Sequence, residues 1–215
     1  MARYPIPAAR VRVEEIIARS RFITTVAAAE TPELARGLVA EIRAEFPDAT
    51  HHCFAYVSGP PGSTAQIGMS DDGEPSGTAG RPMLAVLLGS GVGDIAAVVT
   101  RFFGGTKLGT GGLVRAYGGG VKAALALLPL EEKVRLRTLK LSGAYHWISA
   151  LDRLFPSYEA HVDERTFDAD VTWHVIVPEE RLDALIAALV ELSRGEIRIA
   201  GQAPPAHALD IPSLP

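Results

Sequence analysis

The first 130 residues carry a pattern of hydrophobic and polar positions that predicts both strands and helices. From Leu34 to Phe46 an apolar residue recurs every fourth position, which predicts an amphipathic helix with Thr31 as its N-cap. Residues 94–103 form a continuous apolar run, typical of a strand buried on both faces. The predicted strands are 11–17, 20–27, 51–58 and 94–103, the predicted helices are 32–46, 82–88 and 112–128, and a long loop occupies 59–80.

The remaining residues predict a second, differently organised set of elements. Its predicted strands are 134–142, 157–164, 169–177 and 196–200, and its predicted helices are 144–154 and 179–193. This β-α-β-β-α-β order is that of the ferredoxin-like split unit. Because Leu136 and Leu139 fall on opposite sides of a regular strand, a β-bulge is predicted between them.

Composition and charge both change at residues 129–132, where we place a domain boundary. The sequence therefore predicts an α/β (α+β) chain of two two-layer domains, residues 1–130 and residues 131–202. The tail, residues 203–215, is rich in proline and is expected to be disordered.

The composition predicts a cytoplasmic protein with no membrane segment. Of 215 residues, 47% are hydrophobic and 21% are charged, and no apolar run approaches the length of a spanning helix. The first fifteen residues lack the apolar core of a signal peptide. Cys53 is the single cysteine, so no internal disulfide can form, which suits a reducing compartment.

Charge is distributed unevenly along a chain whose net charge is −4. Residues 1–130 have a balance of +1, with 12 Lys and Arg against 11 Asp and Glu, whereas residues 131–215 have a balance of −5. No acidic residue occurs between Asp94 and Glu131, although four basic residues do. Affinity for anions is therefore expected within this acid-free window.

The same window contains a glycine-rich stretch, residues 101–120, that could bind phosphate. It fits neither nucleotide motif, because Lys107 is followed by Leu108 where a P-loop needs Ser or Thr, and Val114 stands where a dinucleotide fingerprint needs glycine. What remains is a basic turn before a helix, whose free N–H groups favour an anion. The alternative is a tight turn that needs glycine for its fold. The candidate phosphate-binding residues are Arg101, Gly104, Gly105, Thr106, Lys107, Gly109, Thr110, Gly111, Gly112 and Arg115.

A second unusual stretch, residues 70–80, is acidic. Asp71, Asp72 and Glu74 could hold a hard cation or act in acid–base chemistry, but their spacing does not match a calcium loop and no nucleophile lies nearby. A structural turn is the favoured interpretation.

The neighbouring residues His51, His52 and Cys53 could suggest a metal site. On a strand, however, His51 and Cys53 share one face while His52 lies on the other, so these residues alone cannot close a zinc site. Packed histidines and a structural thiol are favoured. No catalytic set, metal site or cofactor is therefore predicted.

Four segments together resemble the hallmark stretches of the YigZ/IMPACT family: SRFI, ATHHCFAY, SDDGEPSGTAGRPML and VVTRFFGGTKLGTGGLVRAYG. The resemblance covers residues 13–125, and residues beyond the boundary resemble the C-terminal module of bacterial members. The family's acidic loop corresponds to Asp71, Asp72, Gly73, Glu74, Pro75, Gly77, Thr78 and Gly80, and its basic loop to Arg101, Phe103, Gly104, Gly105, Lys107, Gly109, Gly111, Gly112 and Arg115. The sequence departs from the family at Phe102, where tyrosine is common.

The resemblance implies a first domain like a small-subunit ribosomal protein and domain IV of elongation factor G, and a second domain like domain V. It therefore implies contact with RNA or the ribosome, as an expectation from fold analogy. Eukaryotic relatives restrain a translation kinase through an additional N-terminal domain, and residues 1–12 hold nothing comparable, so kinase regulation is not carried over.

The function expected from the sequence is translation or its regulation, through RNA or a ribosomal partner bound at the basic loop. The acidic loop would order this loop by pairing with Arg101 or Lys107, or through a metal. One alternative is an enzyme acting on a phosphorylated or nucleotide-like small molecule in the same loop. Another is a protein-interaction module.

Overall fold

A computed structural model of the chain describes residues 3–203. Residue contacts separate these into a first unit, residues 3–133, and a second unit that begins at residue 134. The expected disorder of the tail concerns residues that lie outside the described range, apart from residue 203.

The first unit is built on a five-stranded antiparallel sheet. Its strand order is β2-β3-β6-β4-β5, with β6 in the centre, and the short strands β1 and β7 pair with each other in a separate sheet. The strands are β1 Arg3–Pro7, β2 Val11–Ile17, β3 Ser20–Ala28, β4 His51–Ser58, β5 Gln66–Ser70, β6 Ile95–Phe102 and β7 Leu130–Val134. The predicted strands of this unit are present, and β6 is buried along nearly its whole length, as its apolar run indicated.

Helices cover both faces of this sheet. They are α1 Pro32–Glu45, α2 Gly80–Leu88 and α3 Gly109–Ala126. On one face α1 packs on Val98 and its neighbours, and on the other α2 and α3 enclose a larger core around Val99 and Phe22. The mixed α/β class is confirmed, but this unit has three layers where two were predicted, because the central strand presents apolar side chains to both faces.

Three short strands of the first unit were not predicted. β5 lies inside the segment interpreted as a loop. Its sequence does not indicate a strand, and it is ordered by antiparallel pairing with β4. β1 is held by long-range contacts to the buried carboxylate of Asp94. That carboxylate accepts hydrogen bonds from the Tyr4 hydroxyl at 2.9 Å, the Lys133 ammonium at 2.7 Å and the Gly59 N–H at 2.7 Å.

The second unit has the predicted ferredoxin-like order. Its elements are β8 Leu136–Gly143, α4 Ile148–Leu154, β9 His161–Phe167, β10 Val171–Pro178, α5 Leu182–Ser193 and β11 Arg198–Ala203, and the sheet order is β11-β8-β10-β9. β9 begins at His161 and not at residue 157, because Phe155–Tyr158 form a 3₁₀ turn that ends at Glu159 in a left-handed conformation.

The β-bulge predicted in the first strand of this unit is wrong. β8 pairs with β10 in continuous register from Leu136 to Gly143. The irregularity lies instead in the neighbouring strand β11, where Ala200 pairs with Lys140 and Gln202 with Leu139, so that Gly201 is the additional residue. A glycine with a φ of 73° accommodates this bulge without strain.

Among residues 3–203, no helix is both long and apolar enough to cross a membrane.

Residues 134–215, expressed alone, are expected to fold. This segment contains a complete four-stranded sheet and its own core around Trp173, Leu141 and Leu185. An amide correlation spectrum should therefore show wide chemical-shift dispersion. A collapsed spectrum would contradict the division into two domains.

Candidate functional site

The acidic loop is held by its own carboxylates. Asp71 accepts hydrogen bonds from the N–H groups of Gly77 at 2.7 Å, Ala79 at 3.0 Å and Gly80 at 2.8 Å. These donors lie at and before the start of α2, so Asp71 caps this helix. Hydrogen bonds from these N–H groups favour the charged carboxylate, and the pKa of Asp71 is lowered although burial opposes the shift.

Asp72 joins the acidic loop to β4 and to α1. Its carboxylate accepts hydrogen bonds from the N–H of His52 at 2.6 Å and from the Arg43 guanidinium at 2.9 Å. These two donors lower its pKa against the effect of burial. Asp71 therefore caps α2 and Asp72 holds the turn against β4 and α1, which agrees with the favoured interpretation of a structural turn. Among residues 3–203, no three His, Cys, Asp or Glu side chains form a group that could hold a metal ion.

Glu74 connects the acidic loop to the basic one through a buried ion pair. Its Oε1 accepts from Nη1 of Arg101 at 2.5 Å and from the hydroxyl of Tyr117 at 2.7 Å. The side chains of Glu74 and Arg101 are only 3% and 5% exposed, so solvent screens their attraction weakly. Burial raises the pKa of Tyr117 strongly, so its hydroxyl stays a hydrogen-bond donor.

Ser20 completes this buried cluster and reaches the glycine-rich loop. Its hydroxyl oxygen lies 3.2 Å from Nη2 of Arg101 and 3.2 Å from the N–H of Gly104, and accepts from both. The guanidinium also lies over the rings of Phe22 and Phe103, at 5.3 and 5.4 Å. Arg101 is thus enclosed by β3, the acidic loop and the start of the glycine-rich loop.

Cys53 lies beside this cluster with its side chain fully buried. Its thiol donates a hydrogen bond to the carbonyl oxygen of Asp71 at 3.0 Å. Burial raises its pKa to about 12, so the thiol is protonated near neutral pH. These features fit the structural thiol that the sequence predicted.

Iodoacetamide is expected to alkylate Cys53 slowly in the native protein at pH 7 and rapidly in urea, because the thiolate is the reactive species and the native thiol is neither ionised nor exposed. Mass spectrometry of samples quenched over time measures both rates. Rapid alkylation of native protein, with loss of its binding activity, would instead indicate a nucleophile. The replacement Cys53→Ala is expected to leave that activity unchanged.

The glycine-rich loop needs at least three of its glycines for its path. A Cβ on Gly104 would lie 1.9 Å from the carbonyl oxygen of Arg19, so only glycine allows the loop to approach the β2–β3 turn. Gly105 and Gly109 have φ values of 82° and 70°, which favour glycine. Part of the glycine content therefore serves the fold, as the alternative interpretation proposed.

The start of α3 carries no side-chain cap. The helix begins at Gly109, three residues earlier than predicted, after Leu108 in the N-cap position, and its first turn has no acidic residue. Thr106, Lys107, Thr110 and Arg115 are exposed around this end of the helix. Asp71 caps the start of α2, whereas the N–H groups of the first turn of α3 have no carboxylate partner in the described chain.

Basic residues of the first unit fall into two groups. Those with an ion-pair partner are Arg3, Arg10, Arg12, Arg21, Arg36, Arg43, Arg101 and Lys133. Those that pair with no carboxylate among residues 3–203 are Arg19, Arg81, Lys107, Arg115 and Lys122. All five unpaired residues lie in the β2–β3 turn, the glycine-rich loop or the helices α2 and α3.

Of the three cations predicted to bind phosphate, Arg101 is placed differently from the other two. It is buried and paired with Glu74, whereas Lys107 and Arg115 are exposed. The buried location of Arg101 therefore argues against the predicted direct contact between this residue and phosphate. We call the exposed set Arg19, Thr106, Lys107, Thr110 and Arg115 the basic loop surface.

Two residues of the buried cluster were missed as parts of the site. Ser20 and Tyr117 lie 81 and 43 residues from their partners Arg101 and Glu74 along the chain. Tyr117 could have been recognised in the sequence as a large polar aromatic residue that stands among the glycines of α3.

The fold and the two linked loops define the first unit as an Impact N-terminal domain. A family model of that description matches residues 18–125, and a second, described as a domain of unknown function (DUF1949), matches residues 143–196. The chain belongs to the IMPACT family, as the resemblance of its motifs indicated.

Its relatives include proteins of known sequence from several bacteria. It is 46% identical to "IMPACT family member YigZ" of Escherichia coli (strain K12), over 93% of this chain and 98% of that protein. It is 36% identical to "IMPACT family member YvyE" of Bacillus subtilis (strain 168), over 85% and 83% of the two chains. A solved structure described as a "hypothetical protein" is 45% identical and superposes with a TM-score of 0.69, covering 94% of this chain and 98% of that one.

Proposed function

We propose that this protein acts in translation or its regulation and binds RNA, free or within a ribosomal partner, through the basic loop surface. The observation that carries the proposal is the division of the cations. Eight of the described basic residues of the first unit pair with a carboxylate. The five that form no ion pair lie in the β2–β3 turn, in the glycine-rich loop and in the helices α2 and α3. Such a surface supplies phosphate contacts without base specificity.

The open start of α3 adds to this attraction for phosphate. Its N–H groups point away from the helix beside Lys107, and the helix dipole places partial positive charge at the same end. The buried Glu74–Arg101 pair orders the loop from beneath without consuming the exposed cations. Ordering of the loop before binding lowers the entropic cost of association.

The geometry favours RNA binding over the alternative of a small-molecule enzyme. The side chains of Glu74, Arg101 and Tyr117 fill the space where the two signature loops meet, and a substrate pocket would need that space to be open. The phosphate-binding groups lie instead on an exposed surface. Contact with ribosomes would place the protein in the cytoplasm, as its composition also predicts.

The proposal is tested by measuring binding of the full chain to fluorescent single-stranded RNA and to purified small ribosomal subunits at several salt concentrations. Saturable binding that weakens steeply with salt is expected, because neutralised phosphates release counterions. Absence of binding to both at low salt would refute the proposal and would favour a role confined to protein partners.

A further inference from the structure

A groove runs between α2 and α3 on the outer side of the first unit and adjoins the basic loop surface, with which it shares Arg115. One part, about 470 Å³, is lined by Ala85, Val86, Gly89, Ser90, Lys122 and Leu125. The adjoining part, about 360 Å³, shares Val86 and Lys122 and extends to Pro82, Val114, Arg115, Gly118 and Gly119. Because Pro82 lies opposite Gly118 and Gly89 lies near Leu125, the helices run in the same direction, and the groove follows both.

The floor of this groove is aliphatic and its rim is cationic. Val114 is 40% exposed and Ala85 is also exposed, and the neighbouring groove residues Val86 and Leu125 are only partly buried. Arg115 and Lys122 are seven residues apart, so they lie on the same side of α3 about two turns from each other. Neither forms an ion pair among residues 3–203, and residues 75–93 and 95–130, which contain both helices, include no acidic residue.

One residue in the groove is a glycine that the fold does not require. A Cβ on Gly119 would meet no atom within 4 Å, and its φ is not positive. Glycine is unfavourable inside a helix, and at position 119 neither close packing nor backbone conformation within the fold requires it. Its lack of a side chain deepens the groove and leaves room for another chain to approach α3 closely.

We propose that this groove binds an amphipathic acidic segment of a partner protein, with apolar side chains on the aliphatic floor and Asp or Glu against Arg115 and Lys122. Helix-in-groove recognition uses such a combination of apolar anchors and flanking charge. The floor between the two cations is aliphatic, which suits apolar side chains and offers no contact to a phosphate backbone, so charge complementarity with an apolar floor favours a peptide over RNA. This site shares Arg115 with the basic loop surface but does not include Lys107.

The test uses the isotope-labelled full chain and a synthetic helical peptide with leucine on one face and glutamate beside it. Saturable amide shifts are expected at Val86, Gly118 and Leu125. A peptide with each glutamate replaced by lysine is expected to cause none. Gly119→Leu should fill the groove without clashing with the fold and lower peptide affinity at least about tenfold.

Gly37→Leu is the matched control, because Gly37 is an exposed glycine inside α1 whose Cβ would also meet no atom within 4 Å. It should leave peptide affinity unchanged. Lys107→Ala should also leave peptide binding intact, and Gly119→Leu should leave RNA binding intact, so failure of one proposal is distinguishable from failure of the other. The groove proposal is overturned by absence of saturable shifts at millimolar peptide, by equal affinity of Gly119→Leu or by binding of the lysine peptide. It is also overturned if RNA and not the peptide shifts the amides of Gly89 and Leu125, which line the part of the groove without Arg115.

Discussion

Replacing Lys107 and Arg115 by alanine is expected to weaken binding to single-stranded RNA and to flatten its dependence on salt. Each phosphate contact on a single strand contributes about −0.7 to the slope of log affinity against log salt, so loss of two contacts should reduce the slope by roughly 1.4. Both side chains are exposed and have no ion-pair partner among residues 3–203, so phosphate would be their main electrostatic partner. The loss should be similar for different RNA sequences, because phosphate contacts carry no base information.

The matched control is the double replacement of Arg10 and Arg36 by alanine. It removes the same net charge from the same unit, but these arginines are already neutralised by Glu41 and Glu33. It should leave the slope close to that of the wild type. If both double variants flatten the slope equally, net charge controls the binding and the basic loop surface is not the site. Equal slopes in all three proteins would show that the loop makes no phosphate contact.

Breaking the buried pair between Glu74 and Arg101 is expected to destabilise the first unit strongly. Glu74→Leu leaves the guanidinium buried without a counter-charge, and Arg101→Met leaves the carboxylate buried, and each change should cost roughly 3–5 kcal/mol in the free energy of unfolding. Replacing both together leaves no unpaired charge and should cost less than either single change. Urea unfolding followed by far-UV circular dichroism measures these differences.

Two comparisons make this experiment specific. Glu33→Ala breaks an exposed pair with Arg36 and should cause little change, because solvent screens it. Tryptophan fluorescence comes only from Trp147 and Trp173 in the second unit, so it identifies which unit has lost stability. Additive, small effects of the two single changes would contradict a buried, coupled pair.

The double variant also tests the predicted phosphate contact of Arg101. If it folds and binds RNA with an unchanged salt slope, Arg101 orders the loop and does not touch RNA. A slope reduced by about 0.7 would restore Arg101 to the set of phosphate contacts.

The local pattern of the sequence was sufficient for most elements and for both signature loops. Helix α1 follows from an apolar residue at every fourth position after Thr31, and the second unit follows from its element order, apart from the start of β9 and the position of its β-bulge. The favoured structural interpretation of Asp71 also agrees with its position as the cap of α2. Periodicity, caps and turn chemistry act over a few residues, so they can be recognised without the fold.

Contacts between distant residues decided the rest. The sequence shows that Arg101, Lys107 and Arg115 share an acid-free window, but it does not show that Glu74 buries the first and leaves the other two exposed. Likewise β1 and β5 exist through pairing with β7 and β4, and the third layer exists because β6 is covered on both faces. Burial and ion pairing depend on which segments the chain brings together in space, and local sequence carries little of that information.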